Sequence, residues 1–265
     1  MSETINLVLS NADYFLLVMC RAGALVMTSP IFGRVLIPTR VRLGLSLAIG
    51  YLFFMAVPPA GPALNTAYNS LIGYLLLCAS EIIIGVCLGY VTNAFFGLTF
   101  IAGHLIDMQI GFGMVNVYDI QNQTQAPIMG NLLNITLMLM FFISNGHLRL
   151  IDILYGTLRA IPPGTPVFVP GAFDAALQAF TKMFLLGVMV GLPVVASGLM
   201  IEICFGAVSR AVPQLHMMVV GIPLKLIVGF IIVAAVIPVY ANFSGVIFDS
   251  MFEGLDMMFG QLSGN

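Results

Sequence analysis

Long apolar runs, separated by short polar or proline-rich breaks, set the pattern of this chain. A helix that crosses a bilayer needs about 20 mostly apolar residues. Six runs come near that length: Tyr14 to Phe32, Leu43 to Val57, Leu71 to Phe96, Pro127 to Asn145, Met183 to Ile203 and Leu226 to Phe243. The second is short for a full span and the third is long, so these helices are not expected to cross a membrane in the ordinary upright way. Pro193 falls inside the fifth run and Pro238 inside the sixth. Proline in an apolar helix is tolerated where neighbouring protein satisfies the freed carbonyls. The expected fold class is all-α, a membrane protein of helical hairpins with Pro-bent helices.

The stretch Asp107 to Ala126, DMQIGFGMVNVYDIQNQTQA, breaks the pattern in a different manner. It holds no Lys or Arg, two acids, a Gly-Phe-Gly-Met cluster and a run of Asn and Gln. Neither a spanning helix nor a charged surface loop fits that composition. Phe112, Met114, Val115, Val117, Tyr118 and Ile120 give it too much apolar surface to stay solvated as a disordered segment. Long loops without structure of their own are uncommon in compact proteins and tend to be functional. A loop held inside an assembly is the expectation.

Composition agrees with the pattern. The 265 residues are 60% hydrophobic and 8% charged, with a mean hydropathy of +1.07, whereas soluble domains carry about 25% charged residues. A net charge of -2 and a pI near 5.8 provide no basic surface for nucleic acid. The acidic start, MSETINLVLSNADYF, lacks the basic region of a signal peptide. Insertion is therefore expected to rely on the first apolar run. Cys20, Cys78, Cys87 and Cys204 lie within apolar runs, at spacings of neither a zinc site nor a disulfide framework, and read as packing residues.

Arg34, Arg40 and Arg42 form the densest positive cluster. By the positive-inside rule that break is cytoplasmic, which places the amino terminus outside and starts the 107–126 stretch from the cytoplasmic side. Pro162, Pro163, Pro166 and Pro170 mark an external linker ahead of a carboxy-terminal hairpin, whose tip is SRAVPQLHMMVVGIPLK, residues 209–225.

Three charges sit in apolar runs: Arg21, Glu81 and Glu202. A central charge costs about 2.5 to 3.5 kcal/mol on insertion scales. Such residues serve either a functional site or an ion pair that fastens helices. No His or second acid stands at a helical spacing that builds a metal or proton site, and fastening is the reading taken. His104, His147 and His216 stand alone, without a hydrolase motif. Gly85 with Gly89, and Gly187 with Gly191, allow helix backbones to approach closely. Met114, Met217 and Met218 suit a deformable surface.

The stretches RAGALVMTSPIFGRVLIPTRVR, residues 21–42, and LPVVASGLMIEICFGAVSRAVPQLHMMVVGIPLK, residues 192–225, resemble the FliR family, flagellar relatives of the SctT proteins of type III secretion. The core PQLHMMVVGIPLK is the most specific part, NGHLRLI at residues 145–151 is a weaker match, and the likeness runs over essentially the whole chain. The resemblance implies a membrane subunit of a flagellar export gate in the bacterial inner membrane at the flagellar basal body. It implies FliP-type and FliQ-type partners, an associated FlhB-type protein, and unfolded exported proteins as cargo. Residues 1–160 would be a FliP-like part, 161–174 a Pro-rich linker, and 175–265 a FliQ-like hairpin and tail, within a helical ring standing largely above the membrane plane.

By position, the family's pore plug falls on Gly111, Phe112, Gly113, Met114, Val117 and Tyr118. The chain departs from a common family pattern, which has Phe near Met114 and Val117 and Pro after the Asp; here Ile120 follows Asp119. The partner-facing cytoplasmic tip falls on Arg210, Pro213, Gln214, Met217, Gly221, Pro223 and Lys225. No covalent chemistry, cofactor or metal is expected. The competing reading is a secondary transporter of a small solute using Glu81 or Glu202 for proton coupling; transporters tend to show paired broken helices in two repeats, and the breaks at residues 30–38 and 213–223 are only loosely alike.

Overall fold

In the computed structural model the described residues, 11–33, 37–57, 70–112, 127–165, 171–211 and 217–263, form seven α-helices. They are α1 Ala12–Thr28, α2 Thr39–Ala56, α3 Leu71–Ile110, α4 Ile128–Ile143, α5 Gly146–Ala160, α6 Ala172–Ala211 and α7 Met217–Ser263. Four helices are long and apolar enough to cross a membrane, or five if the bent pair α4 and α5 is one span. The all-α membrane fold expected from the hydropathy is thus observed. α1, the first of the six expected runs, has only 17 residues and carries Arg21.

Three helices outgrow their apolar runs. α3 and α6 have 40 residues each and α7 has 47, or about 60 to 70 Å at 1.5 Å per residue, against a hydrocarbon core of about 30 Å. α3 continues past Phe96 with its more polar residues partnered: Thr99 returns its hydroxyl to the carbonyl of Phe96, and Asp107 accepts the N–H of Met129. α7 continues past Phe243 because its end is amphipathic. Ile247, Phe248, Met251, Phe252, Leu255, Met258 and Leu262 are buried at helical spacing, while Asp249, Glu253 and Asp256 face outward.

α5 lies outside the six expected runs. It leaves α4 at an angle of 69°, and the break is made by Asn145, whose φ of 56° lies in the left-handed region that Asn tolerates better than most residues. Leu150, Leu154, Thr157 and Leu158 form its buried stripe.

By packing, the chain divides into two compact units. The first comprises Met1–Phe95, Asn145–Phe180 and Ser250–Asn265; the second comprises Phe96–Ser144 and Thr181–Asp249. This division follows contacts, a different quantity from the division by resemblance at residues 160 and 175. In the first unit Leu77, Ile84, Leu88, Val91 and Phe95 of α3 are buried on one stripe. In the second, Leu98, Ala102, Ile106 and Ile110 continue at four-residue spacing, and Phe141 of α4 stacks edge-on against Phe96 and Phe248.

Candidate functional site

Arg21 and Glu81, both fully buried, form an ion pair in the first unit, with Arg21 Nε donating to Glu81 Oε2 at 2.6 Å. Arg21 Nη1 also donates to the carbonyl of Thr157 on α5 at 2.9 Å, and Glu81 Oε1 accepts the backbone N–H of Gly164 at 3.0 Å. One pair therefore joins α1, α3, α5 and the turn after α5. That turn has Pro163 and then Gly164 at φ 90°, closed by Thr165 N–H donating to Pro162 O at 3.2 Å. A type II turn requires this order, with positive φ at its third residue. Residues 161–165, read in the sequence as the start of a linker, are thus a fastening, and α6 begins at Ala172.

Close helix approach makes the pair reachable. A Cβ on Gly85 would collide with the Arg21 carbonyl oxygen and Ala24, and one on Gly89 with Thr28. The two glycines bring α3 against α1 beside Glu81, in agreement with the small-residue expectation. Gly187 and Gly191 of α6 do the same in the second unit, against Leu98, Ile101 and Leu105 of α3.

The long loop has pinned ends in the second unit. Asp107 was expected to open the loop; instead it lies on α3, which runs on to Ile110. Its carboxylate accepts the N–H of Met129 in the first turn of α4, at 3.3 Å to Oδ1 and 3.4 Å to Oδ2. An acid there satisfies an orphan helix donor and complements the positive helix end. One turn earlier the backbones of Gly103 and Gly130 meet so closely that a Cβ on Gly103 would collide with Gly130. Farther along, Asn134 Nδ2 donates to Thr99 Oγ1 at 3.2 Å.

After Ile110 the helix ends at Gly111, whose φ of 99° favours glycine. Phe112 then sets its ring edge-on to Phe230 of α7, with centroids 5.5 Å apart. Of the six residues expected to form a plug, Gly111 and Phe112 are placed here, while Gly113, Met114, Val117 and Tyr118 lie outside the described residues.

A family profile described as "Bacterial export proteins, family 1" matches residues 12–251. The chain belongs to the FliR family of bacterial export proteins. It is 32% identical over 242 residues to the flagellar biosynthetic protein FliR of Escherichia coli (strain K12), covering 91% of each chain. With the protein of the same name from Bacillus subtilis (strain 168) it shares 34% over 221 residues, 82% of this chain and 83% of the relative. The Aquifex aeolicus (strain VF5) protein is 27% identical over 220 residues, 82% of this chain and 83% of the relative.

In this FliR-family chain the hairpin tip is shorter than the sequence suggests. Arg210 stands exposed in the last turn of α6, while Met217, Gly221, Pro223 and Lys225 are already in α7. Pro213 and Gln214 lie outside the described residues. Pro223 sits inside the helix, where it removes one backbone donor without ending the helix.

Glu202 departs from the expected burial. Its side chain is 50% exposed and its carboxylate takes Lys225 Nζ at 2.5 Å; Lys225 is 20% exposed. The pair still fastens α6 to α7, but as a partly exposed contact; exposed ion pairs are worth about 0.2 to 1 kcal/mol. Sequence reading missed the Thr157 carbonyl, the Gly164 N–H and Phe230. The first two are backbone groups with no side-chain signal, although the Pro-Gly of residues 163–164 marks the turn.

Proposed function

We propose that this chain is a structural subunit of a flagellar type III protein export gate, with residues 107–126 contributing a plug to its protein-conducting pore. It works with FliP-type, FliQ-type and FlhB-type proteins in the bacterial inner membrane at the flagellar basal body, and unfolded exported proteins are the cargo. Its first 160 residues stand as a FliP-like part and 175–265 as a FliQ-like hairpin and tail, joined by 161–174, of which the first turn is fastened to Glu81 and the last three residues are helical. The chain performs no covalent chemistry. Family membership and the names of the relatives support the apparatus.

The observation that carries the plug reading is the pinning of the loop's two ends. Asp107 capping Met129, with Gly103 against Gly130, makes the chain leave and return at one place. Phe112 on Phe230 fixes its root. A seal needs such anchorage, and apolar constrictions close conduits by contact and dewetting. Glu81, with both carboxylate oxygens engaged, is poorly suited to the proton exchange that a transporter would ask of it.

Deleting Gly113 to Val117 tests the seal. Assembly is expected to stay largely intact while ions cross a membrane that holds the mutant complex. A membrane as tight as one holding the wild type would remove the loop from the seal.

A further inference from the structure

We propose that the Glu202–Lys225 ion pair is a latch that sets the position of the loop root, Gln109 to Phe112. The proposal deepens the plug reading, on which its consequence for export rests. On α6, Gly198 lies one turn before Glu202; on α7, Gly229 lies one turn after Lys225. Residues four apart share a helix face. Each glycine is occupied from α3: a Cβ on Gly198 would collide with the Gln109 side chain, and one on Gly229 would press on Ile110 at 2.9 Å. The ion pair and the glycine pair thus form one cradle, holding two consecutive residues of α3 immediately before the loop.

The cradle has little slack. The cavity among Gln109, Ile110, Gly198, Lys225 and Gly229 measures about 10 Å³, roughly room for a single water molecule. Gln109 packs on Gly198 of α6 and Ile110 on Gly229 of α7, so a change in the spacing of the two helices changes the packing of both residues. Gln109 Nε2 is sealed from solvent and has no hydrogen-bond partner among the described residues, so packing holds it in the cradle. Phe230 follows Gly229 directly and carries Phe112, which brings the same change to the first residues of the loop.

The test is disulfide trapping in membranes of a flagellated bacterium producing the full chain, with the four native cysteines replaced by alanine. One thiol pair, Phe112→Cys with Phe230→Cys, reports the root. A second, Thr99→Cys with Asn134→Cys, reports packing elsewhere in the same unit. Glu202→Gln should lower the trapping rate at the root by about twofold to fivefold, the range that a partly exposed ion pair supports, and leave the second pair unchanged. Reversing the charges, Glu202→Lys with Lys225→Glu, should restore the root.

An unchanged root in Glu202→Gln, an equal fall at both pairs, or no restoration by reversal would each overturn the latch. Trapping that follows the latch while the loop deletion leaves membranes tight would keep the latch and sink the seal. A leak with unresponsive trapping would do the opposite.

Discussion

Two ion pairs fasten helices in this chain, and they differ in surroundings rather than in chemistry. Arg21 and Glu81 are dry, each with a further backbone partner, at the meeting of three helices and a turn. Glu202 and Lys225 join two helices beside a short tip and are partly exposed. In the first place the charges cannot part without leaving a carboxylate or guanidinium unpaired in a medium that solvates neither. In the second, both side chains already keep part of their surface outside the packing of the chain. The cost of breaking an ion pair is set by what replaces it, and it is high for the buried pair and low for the partly exposed one.

The comparison is tested hardest at Arg21. Arg21→Met should cost about 3 to 5 kcal/mol, since it strands Glu81, and the chain should be depleted from membranes. The double change Arg21→Met with Glu81→Leu should recover much of that loss. Equal abundance of wild type and Arg21→Met would show that the buried pair is no more essential than the exposed one.

A smaller effect is expected at Gly85. Gly85→Ala forces α1 from α3 and should cost about 1 to 3 kcal/mol, measured as a lower unfolding temperature in detergent. Gly97→Ala, with open space around its Cβ, is the control and should be neutral or slightly stabilising. Glu202→Gln is the mildest. Its stability change should stay below about 1 kcal/mol, and a larger loss would erase the distinction between the two pairs.

The centres of the apolar helices were legible because hydrophobic runs mark them directly. Their ends were not. α3 runs past Phe96 through Thr99, His104, Asp107 and Gln109, residues that lower hydropathy without breaking a helix. α5 and the end of α7 are amphipathic, so a search for continuous apolar runs passes over them, whereas the spacing of Leu150, Leu154 and Leu158 would have revealed the first. Arg21 and Glu81 stood out through the cost of a charge in an apolar run, and they do pair. Glu202 carried the same signal yet is half exposed, because α6 runs on past the apolar segment to Ala211 and most of its last ten residues are unburied. Sequence hydropathy registers neighbours along the chain, and burial depends on neighbours in space.

The joined ends of the stretch 113–126 also bear on how freely it can vary. Because α3 and α4 hold its endpoints through Asp107, Met129, Gly103 and Gly130, the helices do not depend on the intervening residues to find one another. Doubling the length of a flexible loop adds only about 0.6 kcal/mol of closure entropy. Changes of length or side chain between Phe112 and Pro127 are therefore expected to leave the packing of α3 against α4 in place.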